Sequence, residues 1–327
     1  MSCDASALVG PGASGNGAIV TPGDQARRAG VRDTFDRSGE PPGRELRSVS
    51  WRSTNVDGHR VRYGVVGSGP DALFCHGWGL RPNAYARPIV AMASAGCRVV
   101  APALPGFGRT PELPPAERTF AGYGAWVARF LEAVGVDDLA LVAGHSMGGG
   151  VATSFVHRRP ERVASLLLVN AIGSPTWALF PNEVRTMVQR PFWDWGRHFW
   201  GDLLHSPRAL RVLPVLLEDF IPNIVRNPLG MVRTGEFIRK ADLVAEVRDI
   251  AGRGTAVAVA WSDRDGLVPR SAFDDLRRAA GVEGVVVEGP HAWLIADPHI
   301  FGELAISALV DARPGTGAAD GASVPLH

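Results

Sequence analysis

Apolar and polar positions change register several times along the chain. Over residues 1–45, rich in Gly, Pro, Ser and Asp, no period is visible, and the stretch reads as a disordered N-terminal tail. From Leu46 onward, short apolar runs alternate with stretches of helical spacing. Val49–Ser53 and Arg60–Val66 predict a hairpin around Asp57-Gly58. Further strands are predicted at Ala72–Cys75, Arg98–Ala101, Leu139–Ala143, Val163–Val169, Ala256–Trp261 and Gly284–Glu288. Between them, helices are predicted at Pro82–Ala95, Thr119–Val134, Gly148–Arg159, Arg270–Ala280 and Pro298–Val310. In Thr119–Val134 the apolar set Phe120, Tyr123, Val127, Phe130, Leu131 and Val134 recurs with a helical period. Val163–Val169 is apolar except for Ser165, the near-continuous run expected of a strand buried on both faces. This alternation predicts an α/β fold: a mostly parallel, doubly wound sheet of about eight strands with helices on both faces.

Ser174–Gly235 breaks the rhythm. It holds no β-like run, is punctuated by Pro181, Pro191, Pro207, Pro214, Pro222 and Pro228, and carries Trp177, Trp193, Trp195 and Trp200, four of the nine tryptophans. Its reading is a helical insertion between two strands. The expected organisation is a tail at 1–45, a core formed by 46–173 and 236–311, an insertion at 174–235, and a second tail at 312–327.

Composition narrows the function classes. With 34 basic and 33 acidic residues the formal net charge is +1, which gives no electrostatic reason to expect nucleic acid or an anionic membrane as partner. A hydrophobic fraction of 46% fits a globular core. Three cysteines are too few for a disulfide scaffold; Cys75 and Cys97 lie in or beside apolar runs and read as buried thiols. No Cys/His cluster suggests a metal. No apolar run approaches the roughly 18 residues of a membrane span, and the first residues lack the basic-then-apolar pattern of a secretion signal. The expectation is a cytoplasmic protein acting on a small molecule. Gly10, Gly12 and Gly15 match an isolated Gly-x-Gly-x-x-Gly, but Pro11 and Gly17 deny the helix a dinucleotide site needs.

The strongest chemical signal is Gly144-His145-Ser146-Met147-Gly148-Gly149, placed between an apolar strand and a helix. That is the context of a Gly-x-Ser-x-Gly nucleophile elbow, in which the serine sits on a sharp turn and its neighbours two away must lack bulk. The turn leaves the Met147 N–H at a helix start, facing a developing oxyanion. Serine needs a base. His291, just past strand Gly284–Glu288, sits where α/β sites form; His299 lies in the following helix, and His145 beside the serine reads as a support residue. The third member must orient the imidazole, and either Asp263 or Asp265, after strand Ala256–Trp261, has the right placement. His76-Gly77-Trp78-Gly79, after the first parallel strand, offers the Trp78 N–H as second oxyanion donor.

From about residue 47 to 311 the chain resembles the α/β-hydrolase fold superfamily. Four motifs carry the resemblance in order: His76–Gly79, Pro105-Gly106-Phe107-Gly108, Gly144–Gly149, and the Asp265…His291 pair. The resemblance implies that Asp265 is the acid, because Asp265–Pro269 matches the family's Asp-x-x-Val-Pro, with Asp263 as second choice. It implies that the insertion is a cap over the pocket, with Trp177, Trp193, Trp195 and Trp200 as substrate-binding candidates. Ser146 excludes the Asp-nucleophile members, and His145 stands where carbon–carbon bond hydrolases often have Asn. Ala103 replaces the Asp usual before the Pro-Gly-Phe-Gly loop. The implied activity is hydrolysis of a carboxylic ester or related acyl bond of a small hydrophobic substrate, with no cofactor or metal. The alternatives are an acyltransferase or lyase on the same triad, and an inactive ligand-binding homologue.

Overall fold

In the computed structural model the described residues are 48–175 and 209–312. Residues 176–208, with Trp177, Trp193, Trp195 and Trp200, lie outside them, as do the expected tails apart from residue 312.

The eight strands are β1 (Ser50–Val56), β2 (His59–Val66), β3 (Asp71–Cys75), β4 (Arg98–Pro102), β5 (Leu141–His145), β6 (Ser165–Val169), β7 (Ala256–Arg264) and β8 (Val285–Pro290). They form one sheet in the order β1-β2-β4-β3-β5-β6-β7-β8. β1 pairs antiparallel with β2, and β2 with β4; every later pairing is parallel. The β1–β2 hairpin turns on Asp57 (φ 53°) and Gly58 (φ 80°), the two positive φ values that a two-residue turn matched to strand twist demands.

Helices described are α1 (Ala86–Ala93), α2 (Phe120–Ala133), α3 (Met147–Arg158), α4 (Ala209–Arg226), α5 (Pro228–Ile238), α6 (Val244–Gly252), α7 (Arg270–Ala280), α8 (Trp293–Ala296) and α9 (Pro298–Asp311). Two buried layers result. On one face α1, α8 and α9 cover the sheet around Phe74, Tyr85, Ile89, Trp293 and Phe301. On the other, α2, α3, α6 and α7 pack around Phe130, Phe155, Ile250 and Phe273. α2 starts on Thr119, whose Oγ1 accepts from the Gly122 N–H, and buries Phe120, Tyr123, Val127, Phe130 and Leu131 at helical spacing. α7 stops at Gly281 in the left-handed conformation (φ 70°). β6 is buried along its whole length, between β5 and β7 with helices on both faces.

Several boundaries differ from the sequence pattern, and three of them have a clear physical reason or consequence. The helix expected over Pro82–Ala95 divides into a short 3-10 turn, Pro82–Tyr85, and α1. Pro88 then falls in α1's first turn, where its missing N–H removes no intrahelical bond; in a continuous helix it would have removed one. β5 runs to His145 and leaves Leu139 as an isolated bridge to Val163. β7 continues through Ser262-Asp263-Arg264, beyond the apolar run, because β8 still pairs there across a bulge.

Candidate active site

Ser146 stands between the last residue of β5 and the first of α3, with φ 55° and ψ −121°. A non-glycine residue held there costs about 1–3 kcal/mol, so its surroundings must fix it. The Ser146 N–H donates to the Val169 carbonyl (3.1 Å), and the Ser146 carbonyl accepts from Gly149 (2.9 Å) and Ile172 (3.1 Å). The flanking glycines are required by contact. A Cβ on Gly144 would lie 2.3 Å from the Gly148 carbonyl oxygen, and one on Gly148 would lie 2.1 Å from that of Cys75. Met147 opens α3, so no helix carbonyl precedes it to accept its N–H.

His291 follows β8 immediately. Its Nδ1 and the Asp265 Oδ2 are 2.8 Å apart, with the carboxylate wholly buried (0% exposed) and the imidazole 9% exposed. The other carboxylate oxygen, Oδ1, accepts from the Leu267 (2.7 Å) and Val268 (2.8 Å) N–H groups. Asp263 is turned elsewhere: its Oδ1 accepts from the Gly289 N–H at 2.9 Å. Of the two aspartates left open by the residues alone, the structure brings Asp265 to His291. Because the carboxylate only accepts, the His291 tautomer that satisfies this contact carries Nδ1–H toward Asp265.

A second, buried chain of polar groups runs beneath the serine. The Gly77 N–H donates to the Tyr85 Oη (3.2 Å), Tyr85 Oη bonds His145 Nδ1 (2.9 Å), and His145 Nε2 bonds the His291 carbonyl (3.0 Å). Only one assignment satisfies every group: Tyr85 donates to Nδ1, and Nε2–H donates to the carbonyl. His145 is therefore neutral, and burial together with the neighbouring His291 holds its pKa well below the ordinary histidine value. His145, read from the sequence as a support residue, has two specific partners here, Tyr85 and the His291 carbonyl. The His76 ring, also buried, donates Nδ1–H to the Gly77 carbonyl (2.9 Å) and accepts the Leu104 N–H at Nε2 (2.9 Å). Burial lowers its pKa to about 4. This imidazole ties the loop after β3 to the loop after β4. The latter is further held by Thr110 Oγ1 donating to the Ala103 carbonyl (2.8 Å), which provides anchorage where Ala103 has no polar side chain.

The loop after β3 touches the serine: a Cβ on Gly77 would come within 3.5 Å of Ser146 Cβ. Trp78 follows, its ring edge-on to Phe220 of α4 at 5.8 Å. Sequence reasoning missed Tyr85, Asn170 and Asp219 as members of this neighbourhood. Asn170, directly after β6, reaches Asp265, Ser262 and Trp293. Its signal was a polar residue at the carboxyl end of an otherwise apolar strand, the place where α/β sites gather. Among the described residues no group of three or more His, Cys, Asp or Glu is arranged to hold a metal ion.

Comparison with known proteins bears on the family and the fold. A family model described as the alpha/beta hydrolase fold matches residues 73–213. A pimeloyl-[acyl-carrier protein] methyl ester esterase of Chromobacterium violaceum is 36% identical over 216 residues, 63% of this chain and 80% of that protein. The dihydrolipoyllysine-residue acetyltransferase component of the acetoin cleaving system of Cupriavidus necator is 38% identical over 251 residues. That alignment covers 72% of this chain and 63% of the relative's length. A hydrolase from Pseudomonas aeruginosa PA01 superposes with a TM-score of 0.60 at 21% identity, over 80% of this chain and 98% of that one, a likeness of fold. The chain belongs to the α/β-hydrolase fold family. No helix among the described residues is long and apolar enough to cross a membrane.

Proposed function

We propose that the protein is a serine hydrolase that cleaves a carboxylic ester or related acyl bond of a small hydrophobic substrate through an acyl-enzyme. The observation that carries this reading is the buried Asp265–His291 pair at 2.8 Å, on a loop hydrogen-bonded to the residue preceding Ser146. In this reading His291 takes the Ser146 proton as Oγ attacks the acyl carbon. Asp265 keeps Nδ1–H of the ring and stabilises the imidazolium. The Trp78 and Met147 N–H groups hold the oxyanion. The imidazolium then protonates the leaving alcohol, and water repeats the sequence in reverse to release the acid. The esterase relative supports an ester as substrate, and the Trp78–Phe220 pair, one residue along from the Gly77 that touches the serine, supports an apolar acyl or alcohol group. The acetyltransferase relative favours a second reading, transfer of the acyl group to an acceptor other than water by the same residues.

The test is Ser146→Ala, assayed with 4-nitrophenyl butyrate and a fluorophosphonate probe. The variant is expected to keep its fold, to lose labelling, and to retain at most the ~10³–10⁴-fold catalysis over water that binding and oxyanion donors supply. Labelling that persists in Ser146→Ala refutes the assignment. Adding an alcohol acceptor to the wild type separates the two readings, since transfer gives a new ester in place of the free acid.

A further inference from the structure

We infer that Asn170 is a positioning residue that keeps the Asp265 carboxylate singly oriented for His291, and that it joins the three loops of the site. The inference deepens the serine-hydrolase reading and rests on it.

Asn170 is 1% exposed and sits directly after β6 at φ 44°, one of four non-glycine residues with positive φ among those described. Asn is among the few side chains that tolerate this conformation. Its amide has one orientation only. Trp293 Nε1–H can only donate, and it meets Asn170 Oδ1 at 2.9 Å, so the nitrogen faces the other way. From there Nδ2 spends both hydrogens, one on Ser262 Oγ (2.7 Å) and one on Asp265 Oδ2 (2.5 Å). The Ser262 hydroxyl in turn donates to the Pro290 carbonyl (3.2 Å), which leaves its lone pair for Asn170.

The oxygen that Asn170 donates to is the one that bonds His291. Asp265 Oδ1 is already held by two backbone N–H groups, so Asn170 supplies the remaining donor that fixes the carboxylate plane. The backbone around Asn170 binds the serine turn: Val169, just before it, accepts from the Ser146 N–H, and Ile172, two residues after it, donates to the Ser146 carbonyl. Trp293 belongs to the segment that follows His291. One side chain and its flanking backbone therefore touch the nucleophile turn, the acid and the base loop.

The charged and titratable groups around the pair are few. His145, its ring 4.7 Å from that of His291, is neutral by its hydrogen bonds, and Tyr85 lies behind it. Asp263 is committed to Gly289, and Arg264 pairs with Glu288 at 2.8 Å on the exposed side. None of these bonds Asp265 Oδ2 in place of Asn170.

Two substitutions that tolerate positive φ test the role. Asn170→Gly deletes the donor. It is expected to lower kcat about ten-fold or more at every pH with KM unchanged, because the lost bond acts when the imidazolium forms and not on substrate binding. Asn170→Asp keeps the shape and the acceptor for Trp293 but sets a second carboxyl against Asp265. Two carboxyls that close share one proton. While the proton is shared, the new O–H donates to Asp265 as the amide does. Once it is stripped, two anions face each other and the donor is gone. The ratio of Asn170→Asp to wild-type kcat/KM is therefore expected to fall at least ten-fold between about pH 5.5 and pH 8.5. A residue that merely fills space would scale the rate equally at all pH values. A pH-independent ratio for Asn170→Asp, or wild-type kcat in Asn170→Gly, overturns the inference. If Asn170→Gly fails to fold, as read by circular dichroism, the Asn170→Asp ratio decides alone. Ser146→Ala measured in the same series separates the two levels. Wild-type hydrolysis there sinks the serine-hydrolase reading and this role with it. An inactive Ser146→Ala beside unperturbed Asn170 variants sinks only the role of Asn170.

Discussion

Replacing Tyr85 by Phe removes one oxygen atom from a fully buried position and leaves the ring in place against Phe74, 5.1 Å away. No apolar area is lost and no cavity opens, so the effect isolates the hydroxyl. That oxygen serves two groups, the Gly77 N–H and His145 Nδ1. The imidazole cannot compensate by changing tautomer, because Nε2 would then turn a lone pair toward the His291 carbonyl. Leaving a buried donor or acceptor unsatisfied costs about 1–3 kcal/mol, so two of them predict a loss of about 2–6 kcal/mol. Urea unfolding is expected to show a lowered midpoint with an unchanged m-value. The kinetic effect should fall on kcat, since Gly77 precedes the proposed oxyanion donor Trp78 and the carbonyl at the far end belongs to the proposed base. A Tyr85→Phe protein within about 0.5 kcal/mol of wild type would refute the hydrogen-bonded chain as drawn.

Asp265→Asn is expected to lower kcat by ~10³–10⁴, because an amide favours the wrong imidazole tautomer. Asp263→Asn, whose Oδ1 still accepts from Gly289, should stay within a few-fold of wild type; steady-state kinetics giving the opposite order would reassign the acid. Acidification should destabilise the fold through His76: the unfolded ring takes up a proton below about pH 6.5, while the buried ring resists until about pH 4. Stability is then lost as pH falls through that window, by about 3 kcal/mol from this residue alone. A urea-unfolding free energy unchanged between pH 7 and pH 4 would contradict it.

The parts of the site legible in the sequence are those where backbone geometry restricts residue type. The elbow needed Gly144 and Gly148 because main-chain atoms occupy the space of their side chains, so the motif is local and readable. The hairpin at Asp57-Gly58 was legible for the same reason. His291 was found by its position after a strand. The choice between Asp263 and Asp265 was not decidable from spacing, since both lie at the end of the β7 segment, and only their folded partners, Gly289 for Asp263 and His291 for Asp265, tell them apart. Tyr85 was hidden because an aromatic in an apolar helical stretch reads as core, and it is also core: its ring packs while its oxygen bonds. Asn170 was hidden because its partners lie 92, 95 and 123 residues away in the chain, and no local pattern reports such contacts.

The helix α4 shows why the region above the serine resists reading by pattern alone. Asp219, Phe220 and Asn223 sit at positions spaced to share one of its faces, and the two polar ones bond backbone groups of the loops below. Buried Asp219 accepts from the Ala84 N–H at 3.1 Å and pairs with Arg81, while burial raises its pKa against that pairing. Asn223 donates to the Gly79 carbonyl (2.9 Å) and accepts from the Gly108 N–H (3.2 Å), bridging the loops after β3 and β4. Phe220 fills the space that a side chain at Gly79 would occupy. Main-chain groups carry no residue identity, so a helix that recognises them leaves its signature only in its own polar residues. Those residues look like surface when the apolar stripe is counted. Once folded they do the opposite of surface work: they satisfy buried N–H and carbonyl groups that the two loops cannot satisfy among themselves. The loop carrying Trp78 is thereby held from below by Tyr85 and His76 and from above by α4. An oxyanion donor must be fixed before charge appears in the transition state, and for Trp78, the proposed donor, clamping on both sides would supply that fixity.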